Sequence, residues 1–187
     1  MIRKALSVLA LASVSAVAAH AQGTMAAAAP AAAVKPITFG IKAGGSIPVS
    51  DFSDAAKTGY VLGAQIGLAT PALPVTFRVD ADFNQFDAKT GTGKGQIWGF
   101  TGNALYDLPL SASPIKPYVI AGAGLYTSKY SGAPHSNDFG FNVGGGVKIP
   151  LSGFNTFIEA RYTRINSNDT NPNATQFVPI YVGVSLL

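Results

Sequence analysis

The chain has 187 residues, of which 48% are hydrophobic and only 12% are charged, whereas a soluble domain usually carries about 25% charged residues. This balance excludes intrinsic disorder, which needs low hydrophobicity and high charge, and the 21 glycines and 12 prolines disfavour a helical bundle because both residues interrupt helices. The absence of cysteine excludes disulfide scaffolds, thiolate metal sites and cysteine nucleophiles.

The N-terminus has the pattern of a secretory signal peptide. Arg3 and Lys4 form a charged start, residues 5–18 form an apolar stretch, and residues 19–21 (Ala-His-Ala) form a small-x-small cleavage box. We therefore predict a cleaved signal peptide over 1–21. Without Arg3 and Lys4, 11 basic residues face 9 acidic ones, so the mature net charge is only +2 and indicates no nucleic-acid partner.

Residues 22–36 (QGTMAAAAPAAAVKP) are rich in alanine and proline and contain nothing from which to build a core. We predict a flexible leader over 22–36, followed by one domain over 37–187. A transmembrane helix over 58–77 is an alternative, because Gly59, Gly63 and Gly67 have the spacing of a membrane-helix packing motif. Pro71 and Pro74 interrupt that window, so a strand interpretation is favoured.

From residue 37 onward, apolar and small polar residues alternate with a period of two. The alternating segments are 37–49, 58–69, 75–87, 96–108, 116–129, 138–150, 155–166 and 176–187. Short connections marked by Pro, Ser or Gly alternate with longer polar ones. An even number of strands with short turns at one end and longer loops at the other is typical of an outer-membrane barrel with both termini in the periplasm. We predict an all-β, eight-stranded antiparallel up-and-down transmembrane barrel.

The charges lie on one face of the predicted strands. In 75–87, Phe77 and Val79 share one parity, and Arg78, Asp80 and Asp82 share the other. A lysine or arginine on the lipid face costs about 2–4 kcal/mol at the membrane midplane, so we expect the charged parity to face the lumen. The predicted lumen ion network consists of Lys42, Arg78, Asp80, Asp82, Lys148, Glu159 and Arg161.

Aromatic side chains fall on the opposite, apolar parity, several of them near strand ends where aromatic girdles lie. The predicted lipid-facing aromatic positions are Tyr60, Trp98, Phe100, Tyr106 and Tyr162. The fifth segment resists assignment because both of its faces are apolar or glycine, which leaves open whether Tyr118 and Tyr126 face lipid or lumen. The inward positions Gly44, Gly63, Gly67, Gly144 and Gly146 predict water-filled voids in the lumen.

Five segments carry a family resemblance: 101–110 (TGNALYDLPL), 116–124 (KPYVIAGAG), 139–150 (FGFNVGGGVKIP), 157–162 (FIEARY) and 181–187 (YVGVSLL). With them the chain resembles the small eight-stranded outer-membrane barrels, the OmpA-like and opacity-protein-like domains of the porin family. The resemblance implies a monomer in the outer membrane of a diderm bacterium, with lipid and the barrel-insertion machinery as partners. Family members usually end in an aromatic residue, whereas this chain ends in Leu186-Leu187.

Motifs for chemistry are scarce. His135 stands near Ser131 and Ser136, but all three lie in a predicted loop. Neighbours in a loop do not form the preorganised pair of nucleophile and general base that catalysis needs. The stretch 91–95 (GTGKG) fails the phosphate-loop pattern, and Asp51 and Asp54 alone are too few ligands for Ca²⁺. We expect no catalytic residues, no cofactor and no metal. The expected role is structural or surface contact; the alternatives are a narrow channel for small solutes and a secreted soluble barrel that binds a lipid-like ligand.

Overall fold

The computed structural model describes residues 37–70, 74–109, 115–132, 135–166 and 174–186. The predicted signal peptide and leader lie outside these ranges. The elements are β1 (Ile37–Pro48), α1 (Asp51–Ala55), β2 (Gly59–Ala69), β3 (Val75–Asp87), β4 (Lys94–Asp107), β5 (Lys116–Tyr130), β6 (Ser136–Leu151), β7 (Phe154–Ile165) and β8 (Thr175–Leu186). Each predicted strand is present, with ends within two residues of the predicted ones.

The eight strands form a closed barrel in which every strand pairs antiparallel with its neighbours in sequence, and β1 pairs with β8. This confirms the predicted up-and-down antiparallel barrel. The helix alternative over 58–77 is wrong, since β2 and β3 cover most of that window. Among the described residues, no helix is long and apolar enough to cross a membrane.

The strand connections divide between two ends of the barrel. The strand ends that flank connections 49–58, 88–93, 131–135 and 166–174 lie at one end, which we call the loop end. The strand ends that flank connections 70–74, 108–115 and 152–153 lie with residues 37 and 186 at the other, the turn end. The prediction that every loop-end connection is longer than every turn-end connection does not hold, because connection 131–135 at the loop end is shorter than connection 108–115 at the turn end. β5 and β6 extend further toward the loop end than the alternation of their residues predicted.

The outer face is apolar along most of the barrel, whereas the buried charged and polar side chains lie on the inner face. In β3, Val79 is 61% exposed, whereas Asp80 on the next position is completely buried. An exposed surface this rich in large apolar side chains is unusual for a soluble protein. It suits hydrocarbon as the surrounding solvent and accounts for the chain's excess of hydrophobic residues.

Four of the five predicted lipid-facing aromatic side chains are exposed on the outer face: Tyr60, Trp98, Phe100 and Tyr106. Tyr162 also lies at an outward position, half-buried, and its hydroxyl donates a hydrogen bond of 2.5 Å to Gln176 Oε1. Phe83 stands between two of the predicted residues: its ring centroid is 6.2 Å from that of Tyr60 and 4.8 Å from that of Trp98. These three rings form a continuous aromatic surface at the loop end.

The glycines of the inner face are close-packed, so the predicted water-filled voids at these positions are a wrong expectation. A Cβ added at Gly63 would collide with the carboxylate of Asp82, and one at Gly146 would lie 2.6 Å from the hydroxyl oxygen of Tyr118. At Gly44 and Gly144 the obstacle is a backbone carbonyl of the neighbouring strand, and at Gly67 it is the hydroxyl of Thr38. Small residues at these positions allow neighbouring side chains and backbone carbonyls to approach closely.

Candidate functional site

Asp80 lies at the centre of a cluster of charged side chains in the middle of the lumen. Its Oδ1 is 2.5 Å from Lys42 Nζ and 3.2 Å from Arg161 Nη2, and its Oδ2 is 3.0 Å from Arg78 Nε. Asn103 Nδ2 donates a further hydrogen bond of 2.6 Å to Oδ2. The carboxylate is completely buried and therefore relies on these four donors in place of water.

Glu159 on β7 extends the cluster across the barrel. Arg78 Nη2 donates to both of its carboxylate oxygens, at 2.9 and 2.8 Å, and Arg161 Nε donates to Oε1 at 2.6 Å. The hydroxyl of Tyr118 donates to Oε2 at 2.6 Å. Both arginines thus bridge Asp80 and Glu159, which ties β3 to β7 through the interior.

Asp82 is the third carboxylate of the cluster. Lys42 Nζ lies 3.0 Å from its Oδ1, and the hydroxyl of Tyr181 donates to its Oδ2 at 3.2 Å. The ring of Tyr181 also faces two cations, because its centroid is 4.3 Å from Lys42 Nζ and 5.2 Å from Arg161 Cζ. These are distances at which a cation is attracted to an aromatic face.

Three cations and three anions make up this central ion network: Lys42, Arg78, Arg161, Asp80, Asp82 and Glu159. Their charges balance, which matters because an unpaired charge is very costly in a buried site. Alternation explains how one strand supplies three members, since Arg78, Asp80 and Asp82 are successive inward positions of β3.

Lys148, the seventh predicted member, pairs elsewhere. Its Nζ lies 2.6 Å from Asp107 Oδ1, in a partly exposed pair, and 5.0 Å from the ring centroid of Tyr118. Lys148 is opposite Lys116, the first residue of β5, and so lies near the turn end. The alternation of residues predicts which face a side chain takes but not its height along the barrel axis.

An apolar layer closes the lumen on the loop side of the network. It consists of Ala56, Phe86, Ile97, Tyr126, Ile165 and Phe177, with Phe52 packed against it. The ring of Phe86 contacts both of its aromatic neighbours, with centroids 5.0 Å from Phe52 and 5.5 Å from Phe177. We call this set the loop-end layer.

A second group of apolar side chains fills the lumen on the turn side. Leu105, Tyr118 and Ile120 form this group. A separate cluster of Phe157, Tyr181 and Val61 lies beside the ion network and reaches toward the loop end, because Val61 is the third residue of β2 from that end. The tyrosines left unassigned by the sequence, Tyr118 and Tyr126, thus both face the lumen, where each is almost fully buried. Side chains occupy the lumen at three successive levels.

The helix α1 holds the loop-end layer from above. It follows Ser50, a non-glycine residue with a positive φ of 52°, and Phe52 projects from it onto Phe86. Backbone bonds join its C-terminal side to the next loop: Lys89 N donates to Ala55 O at 2.9 Å and Lys57 N to Asp87 O at 2.8 Å. The first two loops therefore form one continuous cover. Five residues are too few to show a helical period, so the sequence did not predict α1.

A pocket of about 200 Å³ lies in the loop-end mouth. It is bounded by α1, the end of β3, the start of β4 and the end of β5. Its lining residues are Phe52, Ala55, Ala56, Phe86, Asp87, Ala88, Gly93, Lys94, Gly95, Tyr130 and Ser131. Most of this surface is contributed by rings, methyl groups and glycine backbone.

The sequence matches the profile of the outer membrane protein beta-barrel domain over residues 6–185. The chain belongs to this outer-membrane β-barrel family. Its location is therefore the bacterial outer membrane, with lipid against the apolar outer face. A comparison with curated protein sequences gave no significant match.

Solved outer-membrane barrels share the fold. Neisserial surface protein A is 19% identical with a TM-score of 0.65, and the match covers 81% of this chain and 97% of that one. The outer membrane enzyme PagL is 15% identical with a TM-score of 0.52, covering 80% and 98%. Ail, the attachment invasion locus protein of Yersinia pestis, is 14% identical with a TM-score of 0.50, covering 80% and 96%. At these identities the likeness concerns the fold alone.

The orientation of an outer-membrane barrel follows from the lengths of its strand connections. Such barrels have short turns on the periplasmic side and longer loops on the outside. The two longest connections, 49–58 and 166–174, join strands at the loop end, and the shortest, 152–153, joins strands at the turn end, so we assign the loop end, with α1 and the pocket, to the outside of the cell. The aromatic surface of Tyr60, Phe83 and Trp98 then lies toward the outer leaflet.

The residues considered for chemistry lie at the loop end of the barrel. Ser131 Oγ accepts a hydrogen bond of 3.0 Å from Lys94 N, and Ser136 Oγ donates to Asp138 Oδ2 at 2.5 Å, while His135 is exposed. Asp51 and Asp54 are on α1. Across the ranges that the structure describes, no group of three or more His, Cys, Asp or Glu side chains is placed to hold a metal ion.

Proposed function

We propose that this chain is a sealed outer-membrane barrel with a structural and surface-contact role, and that it neither conducts solutes nor catalyses a reaction. The observation that carries the proposal is the filling of the lumen at three levels, with the central ion network between two apolar layers. An eight-stranded barrel has an interior just wide enough for side chains to fill.

Conduction would require this interior to rearrange. A hydrated ion would have to displace Phe86 and its neighbours at the loop end and then separate Asp80 from its cationic partners. Breaking a buried ion pair costs about 3–5 kcal/mol, and several such pairs share the same atoms here. We therefore expect the open state to be too rare to support a solute flux.

Single-channel recording in planar lipid bilayers tests the proposal. Purified barrel, whose folding is first verified by a heat-modifiable gel shift, should give no conductance steps above the bare bilayer. Two lysine variants identify the source of any steps that occur: Lys42→Met alters the lumen, while Lys129→Met alters an exposed position near the outer end of β5. Steps that change with Lys42→Met but not with Lys129→Met would establish a narrow channel and refute the sealed barrel.

The non-catalytic part of the proposal has its own test. The purified barrel should release no fatty acid from lipid or from a chromogenic ester at a rate above that of His135→Ala. A rate that His135→Ala abolishes, while the gel shift stays unchanged, would show that the loop carries a catalytic pair after all.

A further inference from the structure

The pocket in the outward-facing mouth goes beyond a sealed barrel, because sealing needs the loop-end layer but not an open depression above it. The floor is Phe86, which is almost fully buried, and one wall is Phe52 on α1. The other walls come from Ala56, Ala88 and Tyr130. Barrel mouths are among the places where small-molecule sites occur, and such sites are mostly apolar with few polar groups.

The walls of this pocket are preformed by backbone hydrogen bonds between three loops. Ala88 N donates to Gly93 O at 2.9 Å within the second loop, and Ser131 N donates to Lys94 O at 3.0 Å from the third. Lys89 N bonds Ala55 O, which joins the second loop to α1. A preformed pocket needs little ordering of side chains and loops when a ligand binds, so little binding free energy is lost.

The charges around the pocket favour a neutral occupant. Asp87 and Lys94 are its charged lining residues, and they face each other in the β3–β4 register. Their charges sum to zero, so the lining offers no excess charge to attract an ion, while rings and methyl groups dominate the remaining surface. A charged ligand would lose its hydration without a dedicated partner.

The volume decides the size of the occupant. An engineered apolar cavity of about 150 Å³ binds benzene, and this pocket is about 200 Å³. We propose that the pocket binds one small neutral ring compound, aromatic or alicyclic, presented from outside the cell. The inference deepens the surface-contact part of the proposed function and rests on the outward orientation of the loop end; it does not depend on whether the lumen conducts.

Binding can be tested with p-cresol, a neutral and water-soluble ring, on the full barrel in lipid nanodiscs labelled at the alanine methyl groups. The methyl signals of Ala55, Ala56 and Ala88, which line the pocket, should shift and saturate with p-cresol concentration. The signal of Ala104, at an outward position of β4, reports partition of the probe into lipid and should drift without saturating. Benzoate, a charged ring of similar size, should bind at least about tenfold more weakly.

Substitutions that add side-chain volume inside the pocket can be compared with the same substitution on the outer face. Ala88→Leu should weaken p-cresol binding by about tenfold or more, while Ala104→Leu, the same change on the outer face, should leave it unaltered. Gly93→Ala is a gentler filling, since its methyl group would lie at ordinary contact distances of 3.6 Å from Ala88 Cβ and 3.8 Å from Ser131 Cβ.

Two outcomes would overturn the inference. Shifts that never saturate would mean partition into lipid only, and saturating shifts that persist unchanged in Ala88→Leu and Gly93→Ala would mean that p-cresol binds outside this pocket. Benzoate bound as tightly as p-cresol would mean that the pocket recognises an anion rather than a neutral ring. Neither outcome changes the conductance result, so failure of this inference and failure of the sealed barrel are separate findings.

Discussion

Replacement of Asp80 by asparagine should destabilise the barrel more than any other single polar substitution in the lumen. Asp80 forms ion pairs with Lys42, Arg78 and Arg161, at 2.5, 3.0 and 3.2 Å. Asparagine keeps the size and one carbonyl oxygen but removes the charge that compensates the three cations. The central ion network then changes from neutral to a net charge of +1 in a site closed to water.

The magnitude follows from the geometry. At an effective dielectric constant of about 20, opposite charges 4 Å apart attract by about 4 kcal/mol, and removal of one partner of a buried pair typically costs about 3–5 kcal/mol. Asp82 and Glu159 remain to hold part of the positive charge. We therefore expect Asp80→Asn to lower the free energy of unfolding by about 3–5 kcal/mol rather than by the sum over three pairs.

Urea titration of the barrel in lipid vesicles measures this change. Trp98 is the single tryptophan and is exposed on the lipid side, so its fluorescence reports insertion and unfolding. The matched control is Asp107→Asn, the same chemical change in the partly exposed pair with Lys148 at the turn end. A pair in that setting contributes about 0–1 kcal/mol.

A double-mutant cycle separates charge from packing. Lys42→Met removes one cation at similar side-chain length, so the double variant Asp80→Asn/Lys42→Met restores a neutral network. Residues in direct contact show coupling of about 0.5–3 kcal/mol, and the double variant should therefore lose less stability than the two single variants together. If the losses add, or if Asp80→Asn costs no more than Asp107→Asn, charge balance does not hold the lumen together and the reasoning is refuted.

Two further substitutions probe the inner and outer faces. Gly122→Ala would drive a Cβ into the side chain of Asn103 and should lower the free energy of unfolding by about 1–3 kcal/mol in urea titration. Gly102→Ala, with open space around its Cβ, is the control and should change it by less than about 0.5 kcal/mol. Equal effects would contradict close packing of the lumen. Val79→Arg, in mid-strand on the lipid face, should lower the free energy of unfolding by about 2–4 kcal/mol. Gln85→Arg, near the outer end of the same strand, should lower it by only about 0–1 kcal/mol. Equal losses in the same titration would contradict a membrane around the barrel.

The strands were predictable because their physical signal is local. Each lipid-facing position needs an apolar residue, and each intervening one can be small or polar, so the period of two is visible without knowledge of the neighbours. The same logic placed Arg78, Asp80 and Asp82 on one face, which the structure brings together with Lys42, Glu159 and Arg161. Parity alone could not tell that Lys148 lies near the turn end.

The facing of β5 required information from its partners. Tyr118 and Tyr126 alternate with valine, alanine and leucine, so neither parity is distinctly polar. The pairing with neighbouring strands indicates which face of β5 points inward, because Tyr118 is opposite Gly146 and Tyr126 is opposite Gly99. Nor could the sequence reveal the pocket, because its walls come from loops distant in sequence whose meeting depends on barrel closure.

Glycine explains how so narrow a barrel closes its interior. Aromatic rings of the inner face lie over glycines of the adjacent strand: Tyr118 over Gly146, Tyr126 over Gly99 and Gly140, and Phe157 over Gly183. Each of these glycines would place a Cβ within the ring's contact distance if it were any other residue. A ring over a cross-strand glycine restores the packing that glycine lacks. The abundance of glycine, which from composition alone merely argued against helices, is therefore a condition for filling an eight-stranded lumen with large side chains, and this filling is what the proposal of a sealed barrel rests on.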